Sequence, residues 1–294
     1  MLYQGIVLQT TGSYESELQK LCKALKEASS IVIGAGSGLS TSAGFEYSGE
    51  RFDKNFSDFS QKYHFKDMYS GGFTDFESPE EKWAYFSRLI WYNRYSEIPK
   101  DTLARLRSLV EGKDFFVLTT NVDHTFQKSG FPKEKLFYTQ GDYGLLQCSV
   151  PCHQKTYDNY EIIQKMIETQ SNMKIPTELI PHCPKCGKVM SFNLFSDDTF
   201  VRDEGWHAAH KRYQEYLFSH QNQKVLYLEL GVGFNSPGVI KFPFWEYTEA
   251  NPQATFASIN LADPSYHLAI KNRSIIISHN IDDALKDLEK LLKE

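Results

Sequence analysis

Ser30-Ile31-Val32-Ile33-Gly34-Ala35-Gly36-Ser37-Gly38-Leu39-Ser40 passes from a β-branched run directly into a glycine-rich turn. A short apolar run of this kind reads as a strand buried on both faces, the state of a parallel sheet. Glycines behind it let the backbone approach a pyrophosphate and turn free N–H groups toward phosphate oxygens. They equally suit a tight strand-to-helix turn that binds nothing. An ordinary dinucleotide fold places an acidic residue about twenty positions on to hold a ribose. None stands there clearly, so a ribose needs another partner.

Outward from this turn, strands and helices alternate. Ser13 caps a helix whose residues Leu18, Leu21, Cys22 and Leu25 recur at helical spacing. Strand patterns follow at Phe115-Phe116-Val117-Leu118, Lys135 to Tyr138, Val225 to Leu230, Thr255 to Ile259 and Ser274 to Ser278. Asp101 opens a helix carrying Leu103, Leu106, Leu109 and Val110, and a last helix carries Ala284, Leu285, Leu288 and Leu291. Such alternation predicts an α/β fold, a doubly wound, Rossmann-like parallel sheet.

Two segments break the alternation. Residues 49–99 are aromatic-rich, with a capping box at Ser78-Pro79-Glu80-Glu81 opening a helix that carries Trp83, Phe86, Leu89 and Ile90. Residues 144–193 hold four cysteines and show little periodicity. Both read as insertions lying together over the ligand edge of the sheet. The expected division is a sheet domain of residues 1–48, 100–143 and 194–294, with a smaller inserted domain. That insert combines a helical module, 49–99, and a cysteine-bearing module, 144–193.

The 294 residues are 41% hydrophobic and 23% charged, with a net charge of −5. These are globular values, and the acidic balance argues against a broad nucleic-acid or anionic-membrane surface. No apolar run is long enough to span a bilayer, and Met1 to Thr11 lack the order of a secretion signal. A cytoplasmic location is expected, where thiols stay reduced. The cysteines then suggest a metal before they suggest disulfides. Cys148 and Cys152, with Cys183 and Cys186, have the spacing of a structural tetrahedral zinc site that leaves no open position. Cys183-Pro184-Lys185-Cys186-Gly187 is the more specific half. Its partner is looser, and His153 or His182 remains an alternative ligand. Cys22, on an apolar helix face, reads as core.

Downstream motifs supply the missing ribose scheme. Thr119-Thr120-Asn121-Val122-Asp123 resembles the T-Q-N-I-D motif of sirtuins, with Gly130 and then Gln140-Gly141 at the spacing of the family's glycine and His-Gly pair. Gly36-Ser37-Gly38-Leu39-Ser40 followed by Ala43-Gly44-Phe45 resembles G-A-G-I-S-x-x-S-G-I. Gly231-Val232-Gly233 resembles G-T-S, and Asn260 resembles the asparagine on the adenine-side ribose. The order holds from about Ile31 to the C-terminal helix. The resemblance implies NAD as co-substrate, held by Gly36, Ser37, Gly38, Ser40, Asn121, Asp123, Gln140, Gly231, Val232 and Asn260. It further implies that Asp123 binds the nicotinamide amide and Asn121 positions the attacking group. Asn and Asp after a strand also often just shape a turn, the alternative the residues leave open.

One departure decides the expected chemistry. Deacylating sirtuins carry a histidine base where this chain has Gln140, and a side-chain amide takes up no proton near neutral pH. Acyl removal should stall while cleavage of the nicotinamide–ribose bond stays possible. Other departures are Glu46-Tyr47-Ser48-Gly49 in place of P-D-F-R, and Ser191 to Asp197 in place of V-V-F-F-G-E. Val232 and Gly233 supply no hydroxyls. The pattern resembles the macrodomain-linked sirtuins of microbes. That resemblance implies mono-ADP-ribosylation of a lipoylated carrier, an H-like protein of glycine cleavage, and a macrodomain protein that reverses it. His124 and Asp142 are tempting as a replacement base, with a supporting role favoured for His124. The rival expectations are a deacylase with a relocated base and a non-catalytic NAD-binding regulator.

Overall fold

The computed structural model describes residues 5–293. The first four residues and the last residue of the expected sheet domain lie outside this range. Its centre is a six-stranded parallel sheet: β1 (Ser30–Ala35), β2 (Phe115–Thr119), β3 (Leu136–Tyr138), β4 (Val225–Leu230), β5 (Thr255–Ile259) and β6 (Ser274–Ile277). Their spatial order is β6-β5-β4-β1-β2-β3. The chain therefore winds outward in both directions from β1, and the switch point lies between β1 and β4.

Period-two alternation gives each strand two apolar faces. Ile31, Ile33 and Ala35 pack with Val117, Leu228 and Ile259 under the helices Tyr14–Glu27, Thr102–Leu109 and Ile281–Lys293. Val32 faces the other way, with Phe116, Tyr227 and Phe256, against helices Glu204–His220 and Lys241–Ala250. Ser13 caps the first helix, accepting from the Ser16 amide. Asp101 makes no side-chain cap; its backbone carbonyl accepts from the Arg105 amide at 2.8 Å. The capping box at Ser78 is half formed. Ser78 accepts from the Glu81 amide, while the Glu81 carboxylate turns to Lys62 at 2.7 Å.

Residues 49–99 carry the helices Glu50–Tyr63, Met68–Gly71 and Pro79–Ile90 and a π-helical turn, Trp91–Tyr95. The cysteine-bearing segment builds a three-stranded antiparallel sheet from Gly141–Cys148, Tyr157–Asp158 and Met190–Leu194, plus a helix, Tyr160–Thr169. One core joins the two inserts: Phe52, Phe56, Phe59 and Tyr85 on the helical side meet Leu146, Cys148, Ile163 and Met190 on the other. Neither insert buries its apolar surface alone.

Candidate active site

Strand register brings the motifs together. Ala35 pairs with both Thr119 and Leu230, Leu230 with Ile259, and Thr119 with Tyr138. The five positions end level, so Gly36, Thr120, Thr139, Gly231 and Asn260 follow in one row at the carboxyl edge. Ligands of open α/β sheets bind at this edge.

Across the switch point the first and fourth turns touch backbone to backbone. A Cβ on Gly36 would lie 2.6 Å from the Gly231 carbonyl oxygen, and one on Gly38 2.7 Å from Gly231 Cα. Gly231 itself has φ +64°, and its Cβ would stand 2.6 Å from Gly38. The Gly38 amide donates to the Gly231 carbonyl at 3.0 Å. These glycines thus serve the approach of one loop to the other as well as keeping the turn open. Gly231→Ala is expected to destabilise the fold by about 1–3 kcal/mol, through overpacking and a left-handed backbone. Thermal unfolding with and without NAD checks this, and an unchanged melting temperature would remove the packing argument.

Next to this turn, Asn121 and Asp123 sit in a directed hydrogen-bond chain. Asn121 Nδ2 donates to the Gly36 carbonyl at 2.9 Å and to Ser40 Oγ at 3.0 Å. Ser40 in turn donates to Asp123 Oδ2. Asp123 Oδ1 accepts from the Thr125 amide at 3.0 Å and from Thr125 Oγ1 at 2.7 Å. Because the Gly36 carbonyl can only accept, the amide orientation of Asn121 is determined. Both Nδ2 hydrogens are used, and Oδ1 remains as an acceptor. Thr125 lies outside the motifs that carry the family resemblance, although Asp-x-Thr is a local side-chain-to-backbone signal.

Gln140 lies beside this chain. The Thr139 amide donates to the Thr119 carbonyl and the Tyr143 amide to the Val122 carbonyl, each at 2.9 Å. Residues 139–143 therefore run along 119–122 and carry Gln140 past Asn121. Gly141 has φ +95°, and a Cβ there would lie 2.0 Å from the Asn193 carbonyl oxygen. The strand entering the inserted domain starts under this constraint, directly after Gln140. Two tyrosines complete this side: Tyr47 and Tyr143 hydroxyls are 3.0 Å apart. Burial first, then the neighbouring tyrosine and Asp123, push the Tyr47 hydroxyl well above its ordinary pKa. It stays a neutral hydrogen-bonding group.

The remaining candidates are placed less directly. Ser37 is exposed at the first position of helix Ser37–Ser42. Val232 is buried among Ile240, Phe244 and their neighbours, so only its backbone faces the edge. Asn260 is 5% exposed, donates to the Val232 carbonyl at 2.9 Å and accepts from the Ala262 and Asp263 amides. Its amide is largely committed to shaping the turn, leaving one N–H for a ligand.

The four cysteines converge. The sulfurs of Cys148, Cys152, Cys183 and Cys186 all lie within 4.8 Å of one another, with Cys148–Cys186 at 3.5 Å and Cys152–Cys183 at 3.7 Å. A zinc ion with Zn–S bonds of about 2.3 Å sets sulfurs roughly 3.8 Å apart. The set therefore fits a closed structural zinc site. The Cys183 backbone carbonyl accepts from the Gly187 amide at 2.8 Å, and Gly187 takes φ +70°, closing a tight turn between the cysteines. His153 contacts Cys152 Sγ at 3.0 Å and Tyr157, while His182 bonds the Ile180 carbonyl. Four thiols complete the set without either histidine. Cys22 is buried in the core under the sheet.

Comparison with known proteins agrees with this geometry. No family model matches the chain. It is 40% identical to the protein ADP-ribosyltransferase of Staphylococcus aureus over 266 residues, covering 90% of this chain and 84% of that protein. It is 35% identical over 235 residues to a probable bifunctional ADP-ribose hydrolase/ADP-ribosyltransferase of Fusarium oxysporum f. sp. cubense, covering 74% of this chain and 38% of that protein. Among solved structures, Sir2 with a p53 peptide and NAD+ superposes with a TM-score of 0.60 at 18% identity, over 93% of this chain and 98% of that one. Sir2 with the inhibitor EX-527, 2′-O-acetyl-ADP-ribose and deacetylated p53 peptide gives 0.57 at 18% identity, with the same coverage. The fold is that of sirtuins, the four-cysteine cluster fits a structural zinc ion, and the chain belongs to the protein ADP-ribosyltransferase family built on that fold.

Proposed function

We propose that this chain is a mono-ADP-ribosyltransferase that takes ADP-ribose from NAD, releases nicotinamide and modifies a lipoylated carrier protein of the glycine-cleavage H type. The feature carrying the reading is Gln140, the residue before Gly141, where the family resemblance puts the histidine base of deacylating members. In this reading Asp123 binds the nicotinamide amide, with Ser40 and Thr125 fixing the carboxylate. Asn121 Oδ1 faces the reacting sugar, and Gln140 hydrogen-bonds it without taking a proton. The Gly36–Gly38 and Gly231–Val232 turns receive the phosphates, and Asn260 the adenine-side ribose. Transition-state charge on the ribose carbon is met by fixed oxygens of this chain.

The acceptor draws support from a groove of about 860 Å³ between the helical insert and the Met190–Leu194 strand. Phe76, Trp83, Phe86 and Phe192 line it, together with Tyr47 and Tyr143. A largely apolar groove that reaches Tyr47 and Tyr143 suits a long, largely aliphatic arm on a lysine. The name of the Fusarium relative couples an ADP-ribose hydrolase to a transferase, which supports a separate macrodomain partner that removes the modification. Among the described residues, no helix is long and apolar enough to cross a membrane.

The test supplies NAD labelled in the ADP-ribose part to purified protein with lipoylated and unlipoylated carrier. Label on the lipoylated form alone, with acetyl-lysine peptides left intact, is the expected result. Brisk deacetylation without label transfer would overturn the reading.

A further inference from the structure

A second polar set lies behind the Asn121 chain and has no part in the chemistry so far. His124 Nδ1 is 2.6 Å from Asp142 Oδ2, while Arg94 Nε donates to Asp142 Oδ1 at 2.6 Å and the Gly144 amide to the same oxygen at 2.7 Å. The three side chains come from the π-helical turn, the loop after β2 and the first strand of the small sheet. Burial alone would raise the Asp142 pKa. The His124 hydrogen bond and the Arg94 charge outweigh it and hold the carboxyl below its ordinary value. A carboxylate on Nδ1 fixes an imidazole ring and leaves Nε2 as the free nitrogen, the arrangement that equips a histidine to take a proton.

Two further facts separate this histidine from a plain structural clamp. Its side chain is 28% exposed while that of Asp142 is 5% exposed. Its backbone has φ +64°, a left-handed conformation costly for a non-glycine residue and concentrated at functional sites. Arg94 and the Gly144 amide both bond Asp142 Oδ1, and the partner of Oδ2 is the imidazole, a group able to exchange a proton. His124 follows Asp123 directly, and its partner Asp142 stands two residues after Gln140.

We propose that His124 is the general base for the acceptor, with Asp142 and Arg94 as the residues that position it. This rests on the transferase reading. The acceptor's oxygen, nitrogen or sulfur forms a bond to the ribose C1′ as the C1′–nicotinamide bond breaks. The bonding pair leaves with nicotinamide, the acceptor's proton passes to His124 Nε2, and solvent later removes it.

Small nucleophiles test this without the carrier. Methanol must lose a proton on attack, whereas azide has none to lose. With NAD and both nucleophiles present, the ratio of methyl- to azido-ADP-ribose is read for the wild type, His124→Gln and Asp142→Asn. The ratio is independent of how much enzyme is folded. General-base catalysis is worth about 10² to 10⁴ in rate, so His124→Gln should lower the ratio at least about 100-fold, and Asp142→Asn in the same direction. An unchanged ratio in both variants overturns the proposal. So does a wild type that makes no methyl product, since an open base at C1′ would serve a small alcohol. Failure here leaves carrier labelling intact, whereas failure of the transferase reading abolishes labelling itself.

Discussion

Asn121→Ala is expected to lower transfer of labelled ADP-ribose by about 10²- to 10³-fold, the loss typical of removing one preorganised electrostatic group at a reacting centre. The side chain spends both N–H groups on the Gly36 carbonyl and Ser40 Oγ. Alanine removes the Oδ1 acceptor and also loosens the tie between the glycine turn and Asp123. Two further variants separate these effects. Ser40→Ala cuts the link to Asp123 while leaving Asn121 Oδ1 in place, and should cost less. Asn121→Asp keeps the shape but sets a carboxylate oxygen against the Gly36 carbonyl, where no donor remains, so it should fare no better than alanine. Single-turnover nicotinamide release and NAD affinity, measured together, check the assignment. Equal labelling by wild type and Asn121→Ala would show that the residue only shapes its turn.

The parts of this site that were legible in the sequence are those whose constraint is local. A strand followed by glycines, an asparagine and aspartate at a strand end, and paired cysteines each have a cause within a few residues. Register then lines up Gly36, Thr120, Gly231 and Asn260, which no local pattern states but which the doubly wound order entails. What escaped the sequence is non-local. Arg94, His124 and Asp142 meet from three separate segments, and Tyr47 meets Tyr143 from two. Nor is the commitment of Asn260 to its own turn visible from position alone.

The fold shows the same divide. Helix Glu204–His220 goes unread because its buried face is little more than Ala209 and Tyr213, interleaved with histidines and charges. Helix Lys241–Ala250 is masked by Pro243 in its first turn and by aromatic residues on several sides. In residues 144–193 the first strand bulges between Asp142 and Leu146, the other two are short, and the helix Tyr160–Thr169, which buries Ile163 and Met166, goes unread between them. Order there comes from the cysteine cluster rather than from a long apolar face.

That dependence leads to the second large effect. Removing zinc with a chelator, or replacing Cys183 with serine, is expected to unfold the three-stranded sheet while the six-stranded sheet keeps its structure. Apparent zinc binding by small four-ligand modules is about 10–16 kcal/mol, against about 5–15 kcal/mol of stability for a whole domain. The module cannot hold its fold without that contribution. Cys148 and Cys183 are 0% and 2% exposed, and Cys148 ends the strand that begins at Gly141 beside Gln140. Loss of the metal therefore loosens the wall of the active site and its shared core with Phe52 and Tyr85. The sheet domain has two apolar faces of its own and no cysteine ligand. Hydrogen exchange on the zinc-free protein should show residues 141–194 unprotected, the β1–β6 sheet protected, and transfer abolished. Full protection of 141–194 after the metal is gone would mean that the thiols are a surface feature and that the insert folds on its own core.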